Sequence, residues 1–97
     1  MYQYFFQLRG RLEFYEAITW YGENSSQAAD KFIEEVTNKL QEICQRPTLY
    51  RNTKNHFREA LLKSYPYTII YRIDEEKKLI IVISVFHHSR NPGNKFK

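Results

Sequence analysis

The chain contains 97 residues, enough for one small domain with a modest core and too few for two. Hydrophobic residues make up 42% and charged residues 27%, with three Gly and three Pro, which excludes a disordered or low-complexity chain. The single cysteine, Cys44, excludes an intramolecular disulfide, and no apolar run is long enough to cross a bilayer. No N-terminal leader is recognisable. We therefore expect one cytoplasmic domain spanning residues 1–97.

Positive charge is concentrated in the second half of the chain. Residues 1–46 carry five Lys and Arg against seven Asp and Glu, whereas residues 47–97 carry ten against four. All three histidines also lie in the second half. The imbalance is typical of a surface that meets a polyanion or an acidic protein, and a solvated basic surface explains it equally well.

The first two elements are a short strand and a helix. Tyr2–Leu8 is rich in aromatic residues and predicts a strand. From Leu12 the apolar spacing becomes helical, while Glu13 lies off the apolar stripe. Gly22 and the polar residues after it end this helix. The predicted stripe consists of Phe14, Ala17, Ile18 and Tyr21.

The second helix has the strongest periodicity in the sequence. Ser25 or Ser26 provides an N-cap, and Pro47 ends the helix at Arg46 because proline disfavours helical geometry in the residue before it. The short link between the helices predicts an antiparallel helical hairpin. Cys44 falls on its apolar side, which predicts a buried thiol. The repeating apolar positions are Ala29, Phe32, Ile33, Val36, Leu40, Ile43 and Cys44.

Three strands follow the helices. Thr48–His56 is polar and predicts a loop, and Phe57–Lys63 predicts a strand. Tyr67–Ile73 and Leu79–Phe86 are dense in β-branched and aromatic residues and are joined by the charged turn Asp74–Lys78. The last strand is apolar on both faces, which predicts a central strand. The order β-α-α-β-β-β predicts an α+β fold, an antiparallel sheet with the helical hairpin packed on one face.

The chemistry of the chain is carried by basic and titratable side chains. Adjacent strand residues point to opposite faces, so His87 and His88 are poorly placed to share a metal ion, and no ligand cluster accompanies them. We predict no metal and no cofactor. Metal-free RNA cleavage needs only a base, an acid and a cation for the phosphate. The alternation of side chains along the strands places Lys63 and His88 together on the open face of the sheet. Bracing of the strand end by His87 and Arg90 is the structural alternative.

Three motifs carry a family resemblance: Trp20-Tyr21 in the first helix, YPYTIIY at residues 65–71, and His87-x-x-Arg90-x-Pro92 after the last strand. Together they make the chain resemble the RelE/ParE superfamily, the toxins of type II toxin–antitoxin modules that are often called plasmid stabilisation proteins. The resemblance extends from Leu12 to Pro92, and the family fold has the same order of elements. It implies growth inhibition by the toxin and neutralisation by a cognate antitoxin, usually encoded in the same operon.

The resemblance implies two mechanisms. RelE-like members cleave mRNA on the ribosome, and their basic site residues correspond to Lys63, His88 and Arg90 here. ParE-like members inhibit DNA gyrase and are not nucleases. Lys63 lacks the bidentate fork of an arginine, and the tail offers Phe96 where a tyrosine is expected. We therefore predict ParE-like inhibition of gyrase, with a RelE-like ribonuclease or an inactive interaction domain as alternatives.

Other basic residues are candidates for contact with a partner or a nucleic acid: Arg51, Lys54, Arg58, Arg72 and His87. The family antitoxin has a disordered, often acidic segment that folds on the toxin, and these cations suit such a partner. In this family the DNA-binding element usually belongs to the antitoxin. We predict no sequence-specific DNA binding by this chain alone.

Overall fold

The computed structural model describes residues 1–89, which form two helices packed on one sheet. Its elements are β1 (Gln3–Phe6), α1 (Leu8–Asn24), α2 (Ser26–Gln45), β2 (Arg51–Asn52), β3 (Arg58–Leu61), β4 (Tyr67–Asp74) and β5 (Leu79–His87). The strand order is β1-β5-β4-β3-β2. The predicted α+β fold, with a helical hairpin on one sheet face, is confirmed. None of the described helices is long and apolar enough to cross a membrane.

The sheet differs from the prediction in two details. It is mixed, because β1 pairs with β5 in parallel while the other neighbours are antiparallel. The helical hairpin causes this: the Tyr2 N–H donates to the Cys44 carbonyl (3.3 Å), so α2 ends beside the start of β1. The β3–β4–β5 hairpins then bring β5 alongside β1 in the same direction. The predicted loop Thr48–His56 contains the two-residue strand β2 and a 3₁₀ turn, Lys54–His56.

Helix α1 begins one turn earlier than the apolar spacing predicts. Its first residue is Leu8, and Gly10 lies inside it although glycine usually interrupts a helix. The glycine is required because α1 crosses β5 closely. A Cβ atom at Gly10 would lie 2.9 Å from the Val82 carbonyl oxygen and 3.3 Å from the Ile83 carbonyl. The backbone of α1 therefore rests directly on the central strand.

Helix α2 contributes most of the buried residues that the two helices supply to the core. Ser25 is its N-cap, and the Ser25 hydroxyl accepts the Ala28 N–H at 3.0 Å, as predicted. The Cys44 thiol is buried, also as predicted, and burial raises its pKa. Full burial of each large side chain contributes about 1.5–3 kcal/mol. The fully buried core residues include Phe32, Val36, Leu40, Ile43, Ile69, Tyr71, Ile80 and Val82.

Strand β5 changes its pairing with β4 halfway along. Tyr71 pairs with Val82, but Ile70 pairs with Ser84, so Ile83 is an extra residue and forms a β-bulge. Both faces of β5 are largely buried, in agreement with the predicted central strand. A bulge also changes the direction in which the side chains after it point. Here those residues lead to the histidines at the end of the strand.

Candidate functional site

Three elements meet at one end of the sheet, where β3 and β5 end and β4 begins. The Leu62 N–H donates to the Tyr67 carbonyl at 3.0 Å. The His88 N–H donates to the Pro66 carbonyl at 2.9 Å. These bonds fix the β3–β4 turn beside the chain that leaves β5. Lys63 and His88, which alternation assigned to one site, therefore lie at the same end of the sheet.

His87 is the last residue of β5 and packs against the core. Its ring meets the Tyr67 ring edge-on, with 4.8 Å between the centroids. Its Nδ1 accepts the Ser89 backbone N–H at 3.0 Å. An Nδ1 that accepts a hydrogen bond carries no proton, so a neutral His87 has its proton on Nε2. These contacts hold the His87 ring between Tyr67 and the turn that follows β5.

His88 lies on the opposite side of the sheet and is exposed. Its Nε2 is hydrogen-bonded to the Thr68 hydroxyl at 2.8 Å. Tyr67 and Thr68 are consecutive strand residues, so their side chains point to opposite faces. The two histidines that contact them are separated in the same way. Within residues 1–89, no group of three or more His, Cys, Asp or Glu side chains is placed to hold a metal ion.

Lys63 lies in the turn after β3 and is exposed. The prediction placed it inside a strand, but β3 ends at Leu61. The strand stops because α2 captures the backbone that follows. The Glu35 carboxylate accepts the Lys63 N–H at 2.7 Å and the Ser64 N–H at 3.0 Å. The position of Lys63 is therefore set by a helix residue 28 positions away in sequence.

The Glu35 carboxylate is tuned by this turn. Partial burial by itself would raise its pKa, but hydrogen bonds from Ser64 and Lys63 lower it, with a smaller contribution from Lys39. The net result is a pKa below the ordinary value of 4.5. The ionised carboxylate is the form that the two backbone N–H groups stabilise. The negative charge of Glu35 on α2 therefore stabilises the turn that carries Lys63.

Replacing Glu35 with glutamine should remove a pH-dependent part of the stability. A lowered pKa in the folded state contributes stability above the unfolded pKa, and this contribution is lost as pH falls through the folded pKa. The difference in free energy of unfolding between wild type and Glu35→Gln should therefore be constant near neutrality and shrink below about pH 4.5. Urea unfolding at a series of pH values measures it. The control is Glu34→Gln, which changes the exposed neighbouring carboxylate. A difference that persists unchanged at low pH would contradict the prediction.

The other predicted binding residues divide into one structural arginine and three exposed cations. Arg58 is half-buried, and its Nη1 donates to the Tyr50 carbonyl at 2.7 Å and to the Thr48 carbonyl at 3.3 Å. It therefore holds the segment that leads into β2. Arg90 lies outside the described residues 1–89. The exposed cations are Arg51 on β2, Lys54 in the 3₁₀ turn and Arg72 on β4.

An aromatic cleft lies on the helical side of the same sheet end. Its volume is about 420 Å³. Trp20 is 59% exposed beside it, and the Trp20 ring meets the Tyr21 ring edge-on at 5.1 Å. Aromatic surfaces with polar tips are typical of protein interfaces. The walls are formed mainly by Ala17, Trp20, Tyr21, Pro66, Tyr67 and His87.

The helical spacing failed to identify Glu13 as a buried residue. Glu13 is 8% exposed, and its Oε1 accepts the Ser84 hydroxyl at 2.5 Å and the Val85 N–H at 3.0 Å. Its Oε2 contacts Arg9 Nε at 3.4 Å. The available signal was Ser84, because a serine inside a strand covered on both faces needs a polar partner. Glu13 holds α1 against the part of β5 that leads to His87.

A family profile and several solved structures match this chain. The profile described as the ParE toxin of the type II toxin–antitoxin system parDE matches residues 11–92. The chain belongs to the ParE toxin family. A search of curated proteins finds no match. The predicted family is confirmed at the level of the RelE/ParE superfamily.

The structural likeness includes both branches of the superfamily. The chromosomal ParDE system of P. aeruginosa has a chain with a TM-score of 0.75 and 13% identity, covering 90% of this chain and 95% of that one. The RelBE complex of E. coli gives 0.60 and 22%, covering 93% and 100%. Isolated E. coli RelE gives 0.60 and 19%, covering 98% and 93%. At such identities the likeness shows the ParE/RelE fold.

Proposed function

We propose that this chain is the toxin of a type II toxin–antitoxin module, that a cognate antitoxin neutralises it, and that it inhibits DNA gyrase without cleaving RNA. The observation that carries the proposal is the match to the ParE toxin family over residues 11–92. Membership makes growth arrest the expected effect of the chain alone. The arrangement of the basic side chains supports the part of the proposal that excludes RNA cleavage.

Both histidine rings already have partners in the fold. A metal-free ribonuclease needs one group to take the 2′-hydroxyl proton and another to protonate the leaving oxygen. His87 is held through Ser89 and Tyr67, and the His88 Nε2 is held by Thr68. In each ring one nitrogen is therefore already engaged by the fold. These contacts favour a toxin that acts by binding over one that acts by acid–base chemistry.

Two of the described cations are also poorly suited to binding a phosphate. A cleaving site needs cations aimed at the charged pentacovalent phosphate. The Arg58 guanidinium is committed to the Tyr50 and Thr48 carbonyls. Lys63 offers a single ammonium on a flexible stem, without the bidentate geometry of arginine. The described residues therefore favour an inhibitor over a nuclease.

The exposed cations and the aromatic cleft fit an antitoxin of acidic and aromatic character. Arg51 on β2, Lys54 in the 3₁₀ turn and Arg72 on β4 are exposed, so they can pair with carboxylates. The cleft beside Trp20 can receive an apolar anchor side chain, the kind of contact that dominates interface energies. We propose that the antitoxin uses both surfaces. The basic half of the chain then serves its partner and not a nucleic acid.

One observation favours ribosome-dependent mRNA cleavage as the second candidate function. Lys63 and His88 are both exposed and lie at the same end of the sheet. They are the residues that correspond to the RelE-like site. If the chain cleaves mRNA, both side chains should take part in the reaction, because a base and a phosphate-binding cation act together.

Induced expression of the chain, with and without its antitoxin, separates these functions. We expect growth arrest by the chain alone, inhibition of supercoiling by purified gyrase, and no new mRNA ends in ribosome-programmed primer extension. Lys63→Ala and His88→Ala should keep the arrest, as should the control Lys77→Ala, which removes an exposed lysine of the turn between β4 and β5.

Two results would overturn the proposal. Cuts in ribosome-bound mRNA that disappear in Lys63→Ala and His88→Ala but persist in Lys77→Ala would establish the nuclease. Tight antitoxin binding without growth arrest would identify an interaction domain that has kept the fold and lost toxicity.

A further inference from the structure

Strand β1 lies at the edge of the sheet and presents an open side. The Gln3 N–H donates to the Lys78 carbonyl at 3.1 Å, and the Gln7 N–H donates to the Val82 carbonyl at 2.9 Å. In a parallel ladder alternate residues face the neighbour, so the backbone groups of Tyr4 and Phe6 point away from β5. Within residues 1–89 no strand lies on that outer side. Two residues therefore offer N–H and carbonyl groups to another strand.

This edge lacks the usual protection against pairing. Natural edge strands carry charges, proline or a bulge that keep other strands away. Residues 2–8, YQYFFQL, contain no charged residue, no Pro and no Gly. Tyr4 is 40% exposed and Phe5 is 55% exposed. An uncharged, aromatic strand edge is a surface for pairing with a matching strand.

We propose that β1 pairs with β1 of a second copy of this chain, in an antiparallel arrangement with Phe5 on the two-fold axis. This register sets Tyr4 opposite Phe6 of the second copy, and Phe6 opposite Tyr4. The outward-facing backbone groups of both copies then meet as hydrogen-bonded pairs. Phe5 meets Phe5 as a non-hydrogen-bonded pair, in which side chains approach most closely. The interface is isologous, so one surface satisfies itself.

The charge of the edge favours a second copy over an acidic partner segment. Residues 2–8 carry no cation of their own, and the Lys78 ammonium, 5.3 Å from the centroid of the Tyr2 ring, lies at the start of the edge and not along it. Two copies of the uncharged segment 2–8 place no like charges opposite each other, and aromatic cross-strand pairs are among the stabilising ones. The pairing joins the two sheets into one. It is independent of the target of the toxin and of the proposed inhibition of gyrase.

A groove beside β1 gives the second copy a further contact. It has a volume of about 500 Å³ and lies between β1 and the end of α2, with Tyr2, Tyr4 and Cys44 in its walls. The proposed pairing brings the residues that follow β1 in the second copy, where α1 begins at Leu8, toward Tyr2. Leu8 is 62% exposed in one copy. The same pairing therefore brings an exposed leucine to the mouth of the groove.

Sedimentation velocity of the purified full chain at increasing concentration tests the pairing. We expect the mass to rise from 11.8 kDa toward twice that value. Phe5→Glu puts two carboxylates on the axis and should weaken the dimer at least about tenfold, because like charges directly opposite repel. The matched control is Leu61→Glu, at a position that is 58% exposed on β3. It should leave the dimer unchanged.

Cysteine substitution tests the register without relying on a charged variant. Non-hydrogen-bonded pairs have Cα atoms about 4.5 Å apart, a distance that a disulfide can span. Phe5→Cys should therefore form a covalent dimer under oxidising conditions, whereas Leu61→Cys should remain monomeric. A wild-type mass that stays monomeric at every concentration would overturn the proposal. So would a dimer that Phe5→Glu leaves intact, or a Phe5→Cys chain that forms no covalent dimer.

Discussion

Replacing Glu13 with alanine should lower the free energy of unfolding by about 3 kcal/mol, although the helical spacing of the sequence places Glu13 off the apolar stripe. The Glu13 carboxylate accepts hydrogen bonds from the Ser84 hydroxyl and the Val85 N–H. Both donors belong to fully or nearly fully buried residues of β5, with 0% and 1% exposure. A buried donor that loses its acceptor costs about 1–3 kcal/mol, and two are affected. Urea unfolding followed by circular dichroism measures the loss.

Matched variants separate this buried contact from a general effect on α1. Glu23→Ala removes an exposed carboxylate of the same helix and should change the stability by less than about 0.5 kcal/mol. Glu13→Gln keeps one acceptor oxygen and should recover part of the loss. In a double-mutant cycle, Ser84→Ala should be less harmful in the Glu13→Ala background, because its hydroxyl has already lost this acceptor. A Glu13→Ala protein as stable as Glu23→Ala would disprove the structural role.

Glu13 also connects the stability of the fold to the end of the sheet where function is expected. Strand β1 ends opposite Val82, and past that point α1 is the neighbour of β5 on that side. The Glu13 contact to Val85 lies two residues before His87. Loosening it would release the strand end that carries both histidines. Loss of toxicity in a Glu13 variant would therefore reflect positioning of the strand end.

The parts of the fold that the sequence predicted are those with long or repeated local signals. Helix α2 shows apolar residues at three- and four-residue spacing over its length, with a capping serine at Ser25 and Pro47 as a stop. Strands β4 and β5 are long runs of β-branched and aromatic residues. Alternation also separated His87 from His88 correctly, because the separation is a local property of a strand.

Features that depend on distant residues could not be predicted in this way. Arg51 and Asn52 form a strand only because they pair with β3. The strand before Lys63 stops early because Glu35 binds the backbone of the turn. Neither partner is marked by any local periodicity. The candidate site could thus be assigned to a sheet end from sequence, while the contacts that position its side chains could not.

The second large effect concerns the two glycines of α1, which should respond in opposite directions to the same substitution. Gly10→Ala should destabilise the protein by about 2 kcal/mol, in spite of the gain of about 1 kcal/mol in helix propensity. The added Cβ would lie 2.9 Å from the Val82 oxygen and 3.3 Å from the Ile83 carbonyl. Both are backbone atoms of the central strand and cannot rotate away. Helix α1 would have to move off β5, which also strains the Glu13 contact.

Gly22→Ala is the control that isolates this steric effect from propensity. Its added Cβ would meet only the Ala29 Cβ, at 3.7 Å, which is an ordinary contact. The helix gains alanine in place of glycine, so the protein should become more stable by about 0.5–1 kcal/mol. In thermal and urea unfolding, Gly10→Ala should therefore be less stable than the wild type and Gly22→Ala more stable. If Gly10→Ala were instead as stable as Gly22→Ala, α1 could not be resting on β5. The buried contacts of Glu13, which need that close approach, would then have to be abandoned as well.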